Sequence, residues 1–167
     1  MTLPSVEELV AHFGLLPHPE GGYFRESYRC HETIPKKGLP SRFSGARNFS
    51  TAIYYLLQKG QKSRLHRIQA DEVWHFYLGG PLAIVEIDEA GVVHTTKLGP
   101  DIKAGHVLQH VVAANRWFGA APETESDYCF VGCTVAPGFN FLDFEMGDPA
   151  KIRAEFPKVT QAIVRFL

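Results

Sequence analysis

The middle of the chain consists of eight short segments rich in β-branched and aromatic residues, and turn residues such as QKG, GGP and GPD separate most of them. Short strands at this spacing are typical of an antiparallel sandwich or barrel. The pattern therefore predicts a mainly β fold. The segments are TAIYYLL (51–57), RLHRI (64–68), EVWHFYL (72–78), LAIVEID (82–88), VVHTTKL (92–98), VLQHVVA (107–113), RWFGA (116–120) and DYCFVGCTVA (127–136).

Helix signals occur only at the two ends. Ser5 and Glu8 form the capping-box pattern S-x-x-E, and Gly14 can end the helix that follows it. Near the other end, Asp148 can cap a helix whose first residue is Pro149. We expect one short helix at each end of the β region.

The composition restricts the class of protein. No linker, repeat or low-complexity tract interrupts the sequence, so we expect a single domain over residues 1–167. Seventeen basic and 18 acidic residues give a net charge of −1, which argues against nucleic-acid or anionic-membrane partners. There is no apolar run of about 18 residues and no signal-peptide pattern, and we predict a cytoplasmic protein.

The three cysteines do not suggest a disulfide or a zinc site. Cys129 and Cys133 are four residues apart in a predicted strand, which separates them by roughly 13 Å. This distance is too long for a disulfide. We interpret all three as reduced core residues.

The stretch LHRIQADEVWHF (65–76) concentrates ionisable side chains. Side chains alternate along a strand, so His66 and Ile68 share one face, and Glu72, Trp74 and Phe76 share one face of the next strand. If both faces line the inside of a barrel, His66 and Glu72 converge on one apolar pocket. Such a pocket suits ligand binding and acid/base chemistry, and we predict these two as catalytic residues.

The spacing within GQKSRLHRIQADEVWHFYLG (60–79) resembles the first motif of the cupin superfamily. Together with PHPEGGYFRE, STAIYYLL, WFGA and GCTVAPGF, it is similar to an uncharacterised branch known as cupin-5, over about Val6 to Glu145. The resemblance implies a cupin double-stranded β-helix, that is, a jelly-roll barrel with short terminal helices. It also implies a homodimer, whereas a small-molecule ligand inside the barrel is predicted from the apolar pocket itself.

Metal-binding cupins usually use two histidines and a glutamate of the first motif and a histidine of the second. His66 and Glu72 match two of these ligands, but the other two positions hold Ile68 and Phe118. Two protein ligands are too few for a tight transition-metal site, so we predict no metal and no cofactor. His75 lies at an odd offset from Glu72 and points away unless a bulge intervenes.

A second resemblance concerns the metal-independent sugar-nucleotide 3,5-epimerases. The segments LHRI (65–68) and GGYFRE (21–26) are similar to two of their motifs, and their catalytic base falls on His66. Their substrate-binding arginine and glutamine fall on Gly21 and Ile68. Candidates for their remaining acid and aspartate stay open, namely Tyr55, Tyr128 and Asp143.

Other side chains are candidate ligand contacts. We predict stacking by Trp74, Phe76, Trp117 and Phe118, and polar contacts by Gln109 and Arg25. An ion pair between Arg25 and Glu26 is the alternative for that arginine.

Two further segments have predicted positions relative to the site. The irregular stretch 31–50 is expected to be either a flap over the site or a mobile surface loop. The aromatic segment FNFLDFE (139–145) is expected in the core or at a dimer contact rather than in the site.

Three functions follow in order of preference. The first is binding of a small organic ligand, for example a carbohydrate-like molecule, in the barrel pocket without a tightly bound metal. The second is a metal-independent isomerase or epimerase with His66 as the base. The third is a metal-dependent cupin enzyme that uses His66, Glu72 and His75 as ligands.

Overall fold

The computed structural model describes residues 3–123, 127–158 and 160–167. Its strands and helices follow the chain in the order expected from the sequence, with β structure between terminal helices. The helices are α1 (Val6–Phe13), α2 (Pro149–Glu155) and α3 (Thr160–Ile163). The strands are β1 (Leu16–Pro17), β2 (Tyr23–Arg29), β3 (Thr33–Ile34), β4 (Arg47–Asn48), β5 (Thr51–Gln58), β6 (Ser63–Ile68), β7 (Asp71–Gly79), β8 (Leu82–Ile87), β9 (Val93–Leu98), β10 (Gln109–Val112), β11 (Trp117–Pro122), β12 (Tyr128–Ala136) and β13 (Phe144–Met146).

Two antiparallel sheets form the jelly-roll. One has the strand order β1-β2-β5-β12-β7-β10 and the other the order β13-β6-β11-β8-β9. Each of the eight predicted segments overlaps one of the strands β5 to β12. The prediction of a mainly β jelly-roll with short terminal helices is confirmed.

The helices α1 and α2 begin at the predicted N-cap residues, Ser5 and Asp148. The Ser5 hydroxyl accepts a hydrogen bond from the Glu8 backbone N–H, and the Glu8 carboxylate accepts one from the Ser5 N–H. Gly14 ends α1 in the left-handed conformation, with φ of 59°. Asp148 accepts hydrogen bonds from the first two backbone N–H groups after Pro149. No helix among the described residues is long and apolar enough to cross a membrane.

The main core lies between the two sheets. It contains Tyr55, Trp74, Phe118 and Val131, and each of these side chains is almost fully buried. A second cluster around Trp117 packs under the C-terminal helices, on the outer side of the second sheet. A third joins α1 to the outer side of the first sheet.

The segment 31–50 is more regular than predicted. β3 pairs with β4, and a 3-10 helix spans Lys36–Gly38 between them. Phe43 is buried against Ile68, and Arg47 binds Asp143 through two hydrogen bonds of 2.6 Å. Outside these short elements the segment is irregular, as predicted, and one phenyl ring and one buried ion pair attach it to the barrel.

Candidate functional site

A cavity of about 290 Å³ opens at the end of the jelly-roll where β6 turns into β7. Its walls come from both sheets and from the segment before β13. The apolar lining consists of Phe24, Ile53, Ile68, Val135, Phe139, Phe141 and Phe144. The polar lining consists of His18, Glu20, Glu26, Arg29, Thr51, His66, Glu72, Cys133 and Asn140.

His66 is buried in the cavity wall and is held at both ring nitrogens. Its Nδ1 lies 2.7 Å from the carbonyl oxygen of Arg64. A carbonyl oxygen can only accept a hydrogen bond, so Nδ1 carries a proton. Nε2 lies 3.0 Å from Oε2 of Glu20, and this contact is attractive only with one proton between the two atoms. The ring packs on Phe118, with 4.1 Å between centroids.

Glu20 enters the cavity from the turn before β2. Gly21 has φ of 118°, and a Cβ atom there would lie 2.0 Å from the carbonyl oxygen of Lys62. Glycine is therefore required for this close approach. The backbone N–H of Glu20 donates to Nδ1 of His18, at 3.2 Å. Burial lowers the pKa of His18, although the Glu20 carboxylate opposes this effect.

Neither Glu20 nor His18 was singled out from the sequence. Their backbones belong to a turn, so strand alternation gives no direction for their side chains. The glycine pair Gly21–Gly22 that follows them was the available signal, because it marks a close backbone approach next to two ionisable residues.

Glu72 begins the buried part of β7 and faces the same cavity. Burial raises the pKa of Glu72 to about 8, and the charge of Glu20 adds to this effect. The Cys133 thiol forms a hydrogen-bonding contact with the Glu72 carboxyl group that acts in the opposite direction. Glu72 is thus mostly protonated at pH 7, and it can donate a hydrogen bond to a ligand.

Cys129 and Cys133 are reduced members of the main core, as expected, whereas Cys30 is only partly buried; Cys133 also has a position in the site. It is buried, is not in a disulfide, and lines the cavity beside Glu72. Burial raises the pKa of its thiol well above the usual value, so the sulfur stays protonated. The cavity therefore contains a thiol but no thiolate nucleophile at neutral pH.

Three of the predicted stacking residues lie inside the barrel but outside the cavity lining. Trp74 and Phe118 are almost fully buried in the main core, and Phe76 packs against it. Phe118 acts on the site indirectly, because its ring supports the imidazole of His66.

The other predicted contacts face away from the cavity. Trp117 neighbours Phe118 in β11 and so points to the opposite face, where the Arg67 guanidinium lies 4.5 Å from its ring. The exposed Gln109 amide donates to Nδ1 of His75 at 3.0 Å. Nε2 of His75 donates to the Thr134 hydroxyl at 3.0 Å, outside the cavity.

Arg25 also lies outside the cavity lining, and the prediction that it pairs with Glu26 was wrong. Adjacent residues of a strand point to opposite faces, which separates Arg25 from Glu26. The carboxylate of Glu26 instead accepts hydrogen bonds of 2.9 and 2.7 Å from Arg29. This pair lines the cavity mouth.

The aromatic side chains that do line the cavity come from the segment 139–145. Phe139, Phe141 and Phe144 contact one another edge to face and form one wall. Phe139 and Phe144 also pack against the core cluster of Phe43 and Ile68, as expected, but the expectation did not include the cavity. The segment has few strand residues, and the ion pair of Arg47 with Asp143 holds it against the barrel.

The three open candidates for an acid or an orienting aspartate are all engaged elsewhere. The Tyr55 hydroxyl donates to the carbonyl oxygen of Gly21 at 2.7 Å. The Tyr128 hydroxyl donates to the carbonyl oxygen of Pro4 at 2.9 Å, and Asp143 binds Arg47. None of the three lines the cavity.

Comparison with known protein families establishes the relationship. The family model Cupin_5, described as Cupin superfamily (DUF985), matches residues 7–147. The chain belongs to this cupin family. An uncharacterized protein of Saccharomyces cerevisiae, YML079W, is 32% identical to this cupin over an alignment of 147 positions that covers 83% of this chain and 73% of the yeast protein.

Solved structures agree with the assignment. Protein SO0799 from Shewanella oneidensis is 33% identical to this cupin, with a TM-score of 0.87 and 98% of each chain covered. A hypothetical protein from Leishmania major is 28% identical, with a TM-score of 0.86 and the same coverage. Oxalate decarboxylase from Bacillus subtilis is 16% identical with a TM-score of 0.55, over 90% of this chain and 36% of that enzyme. This last likeness concerns the fold alone.

The donor set of this cupin does not fit the metal site of metal-binding cupins. Hydrocarbon side chains occupy two of the four ligand positions, at Ile68 and Phe118, and Nε2 of His66 faces Glu20. Within residues 3–123, 127–158 and 160–167, no three His, Cys, Asp or Glu side chains are arranged to hold one ion. His75 cannot complete a set, because both its ring nitrogens are bonded outside the cavity.

Proposed function

We propose that this cupin binds a small organic ligand in the cavity at the end of its jelly-roll. The observation that carries the proposal is the position of His66, Glu20 and Glu72, which bring buried polar groups to one apolar cavity with aromatic walls. A concave, mostly apolar site with few convergent polar groups is the usual form of a small-molecule site.

The polar groups offer both donors and acceptors to such a ligand. The protonated Glu72 can donate a hydrogen bond, and the Glu20–His66 pair can accept one or donate its shared proton. The exposed Phe141 and its neighbours Phe139 and Phe144 provide apolar surface at the entrance. A ring or chain with one or two oxygens is therefore complementary to the cavity.

A ligand screen with matched variants tests the proposal. Ligands that bind the native state raise the melting temperature, so neutral sugars, lactones, hydroxyketones, small acids and amines are screened in this way and hits are titrated by calorimetry. We expect Phe141→Ala and Glu72→Leu to weaken binding of a hit, because the first removes apolar surface and the second removes the hydrogen-bond donor. Phe49→Ala is the control, because Phe49 is an exposed phenylalanine outside the cavity lining. Equal loss in both phenylalanine variants would contradict the proposal.

A second candidate function is proton transfer on such a ligand, as in an isomerase or epimerase. It is favoured by the presence of one group that can take a proton, the Glu20–His66 pair, beside one buried acid, Glu72. When two neighbouring titratable groups have environments that keep one protonated and leave the other able to accept a proton, the first commonly acts as the acid and the second as the base. In this scheme Glu20 holds the shared proton, Nε2 of His66 removes a proton next to a carbonyl group, and Glu72 protonates the oxygen.

Deuterium exchange distinguishes catalysis from simple binding. Keto sugars incubated in heavy water with the protein are expected to gain deuterium next to the carbonyl if the second function operates. His66→Ala and Glu72→Gln should abolish this exchange, whereas Gln109→Ala should not. Exchange that persists in the His66 variant would exclude His66 as the base.

We also retain the proposal that the protein is a cytoplasmic homodimer. Support comes from the family resemblance and from exposed apolar side chains such as Val111 and Tyr77 on the outer side of the first sheet. Light scattering coupled to size-exclusion chromatography measures the mass directly. A monomer at micromolar concentration would contradict the dimer.

A further inference from the structure

The charges that line the cavity cancel one another, and this restricts the kind of ligand. We propose that the cavity selects an uncharged carbonyl or hydroxyl compound of about ten non-hydrogen atoms and discriminates against anions. The inference rests on the proposed binding function and names the ligand class of that same site.

Arg29 is the single lysine or arginine in the cavity lining as far as the structure describes the chain. A guanidinium group has five N–H donors, and all five are used here. Two bind the Glu26 carboxylate, at 2.9 and 2.7 Å. One binds the side-chain oxygen of Asn48 at 2.8 Å, and two bind the carbonyl oxygen of Phe139, at 3.2 Å each. Arg29 therefore has its charge balanced and no donor left for an anionic ligand.

The buried part of the lining is balanced in the same way. Glu20 and His66 hold one proton between them, which leaves the pair without net charge. His18 accepts a hydrogen bond at Nδ1 and is neutral, since burial lowers its pKa. Glu72 keeps its proton at pH 7. An anion entering the cavity would thus lose its hydration. The lining offers carboxyl groups but no unpaired positive charge that could compensate this cost.

The cavity volume sets the size of the ligand. About 290 Å³ corresponds to roughly ten water molecules at their volume in the liquid. A sugar nucleotide is several times larger, and its diphosphate is anionic, so both size and charge argue against it. The apolar walls favour a compact molecule with one or two neutral oxygen-bearing groups.

Three probes of almost the same shape separate charge from size. Benzamide is neutral, benzoate is an anion and benzamidinium is a cation at pH 7, and each has close to ten non-hydrogen atoms. Calorimetric titration at pH 7 gives the three dissociation constants with the wild-type protein and with the Phe141→Ala and Phe49→Ala variants. We expect benzamide to bind at least tenfold more tightly than benzoate and more tightly than benzamidinium. Phe141→Ala should weaken benzamide binding severalfold, and Phe49→Ala should not.

The possible outcomes lead to different conclusions. If benzoate or benzamidinium binds as tightly as benzamide, and Phe141→Ala weakens that binding, then the cavity binds ligands but the charge inference is wrong. If none of the three probes binds, or if binding is insensitive to Phe141→Ala, both the proposed site and the inference fail. Only a benzamide preference that depends on Phe141 supports both.

Discussion

Replacing Glu72 by glutamine is the sharpest test of the site's electrostatics. Glu72 is buried, and its pKa is raised from an ordinary 4.5 to about 8. The folded protein therefore retains a proton that the unfolded chain has already released between these two pH values. The free energy of unfolding must then fall as the pH rises from about 4.5 to about 8, because only the folded state binds the proton.

The size of this effect follows from the shift. One pKa unit corresponds to about 1.4 kcal/mol, so Glu72 should lower the free energy of unfolding by about 3 kcal/mol between pH 5 and pH 7. The Glu72→Gln variant has a neutral side chain of nearly the same shape and lacks this titration. We expect the stability of the variant relative to the wild type, compared at the same pH, to increase by about that amount between pH 5 and pH 7.

Urea denaturation at pH 5, 6, 7 and 8 measures the free energy of unfolding of both proteins. Fluorescence of the buried Trp74 and Trp117 is the signal. The quantity of interest is the stability difference between wild type and variant as a function of pH, since titration of other groups largely cancels. Glu145→Gln is the control, because Glu145 is an exposed carboxylate paired with Arg67. If the curves of wild type and Glu72→Gln are parallel, the reasoning about Glu72 is refuted.

Three further predictions concern the surroundings of the site. Arg47→Ala should lower the free energy of unfolding by about 3–5 kcal/mol, because it leaves Asp143 buried without its partner; urea denaturation measures the loss, and Arg47→Ala combined with Asp143→Ala should be less damaging than the sum of the two single changes. With iodoacetamide at pH 8, the partly exposed Cys30 should react before the buried Cys133, whose thiol pKa is raised; peptide mass spectrometry on native protein would contradict this if both react equally fast. Elemental analysis of protein purified without chelators should give well under one transition-metal ion per chain, because the donor set does not fit one.

The fold and the central pair of the site could be predicted because both depend on local periodicity. Alternation in β6 and β7 is sufficient to place His66 and Glu72 on inward faces, and the turn between the two strands brings them to one end of the barrel. Glu20 could not be found in this way. It reaches His66 from a turn that is 46 residues earlier in the sequence, and only the pairing of distant strands brings the two together.

The misplaced aromatic contacts have a different physical cause. Strand alternation states which face a side chain occupies, but it does not state how far along the barrel that side chain lies. Glu72, Trp74 and Phe76 share the inward face, yet they pair in turn with Val135, Cys133 and Val131 of β12. The cavity ends at the layer of Cys133, so Trp74 in that layer and Phe76 beyond it fill the core. The aromatic wall on the opposite side comes from the chain around the start of β13, where Phe139, Phe141 and Phe144 lie.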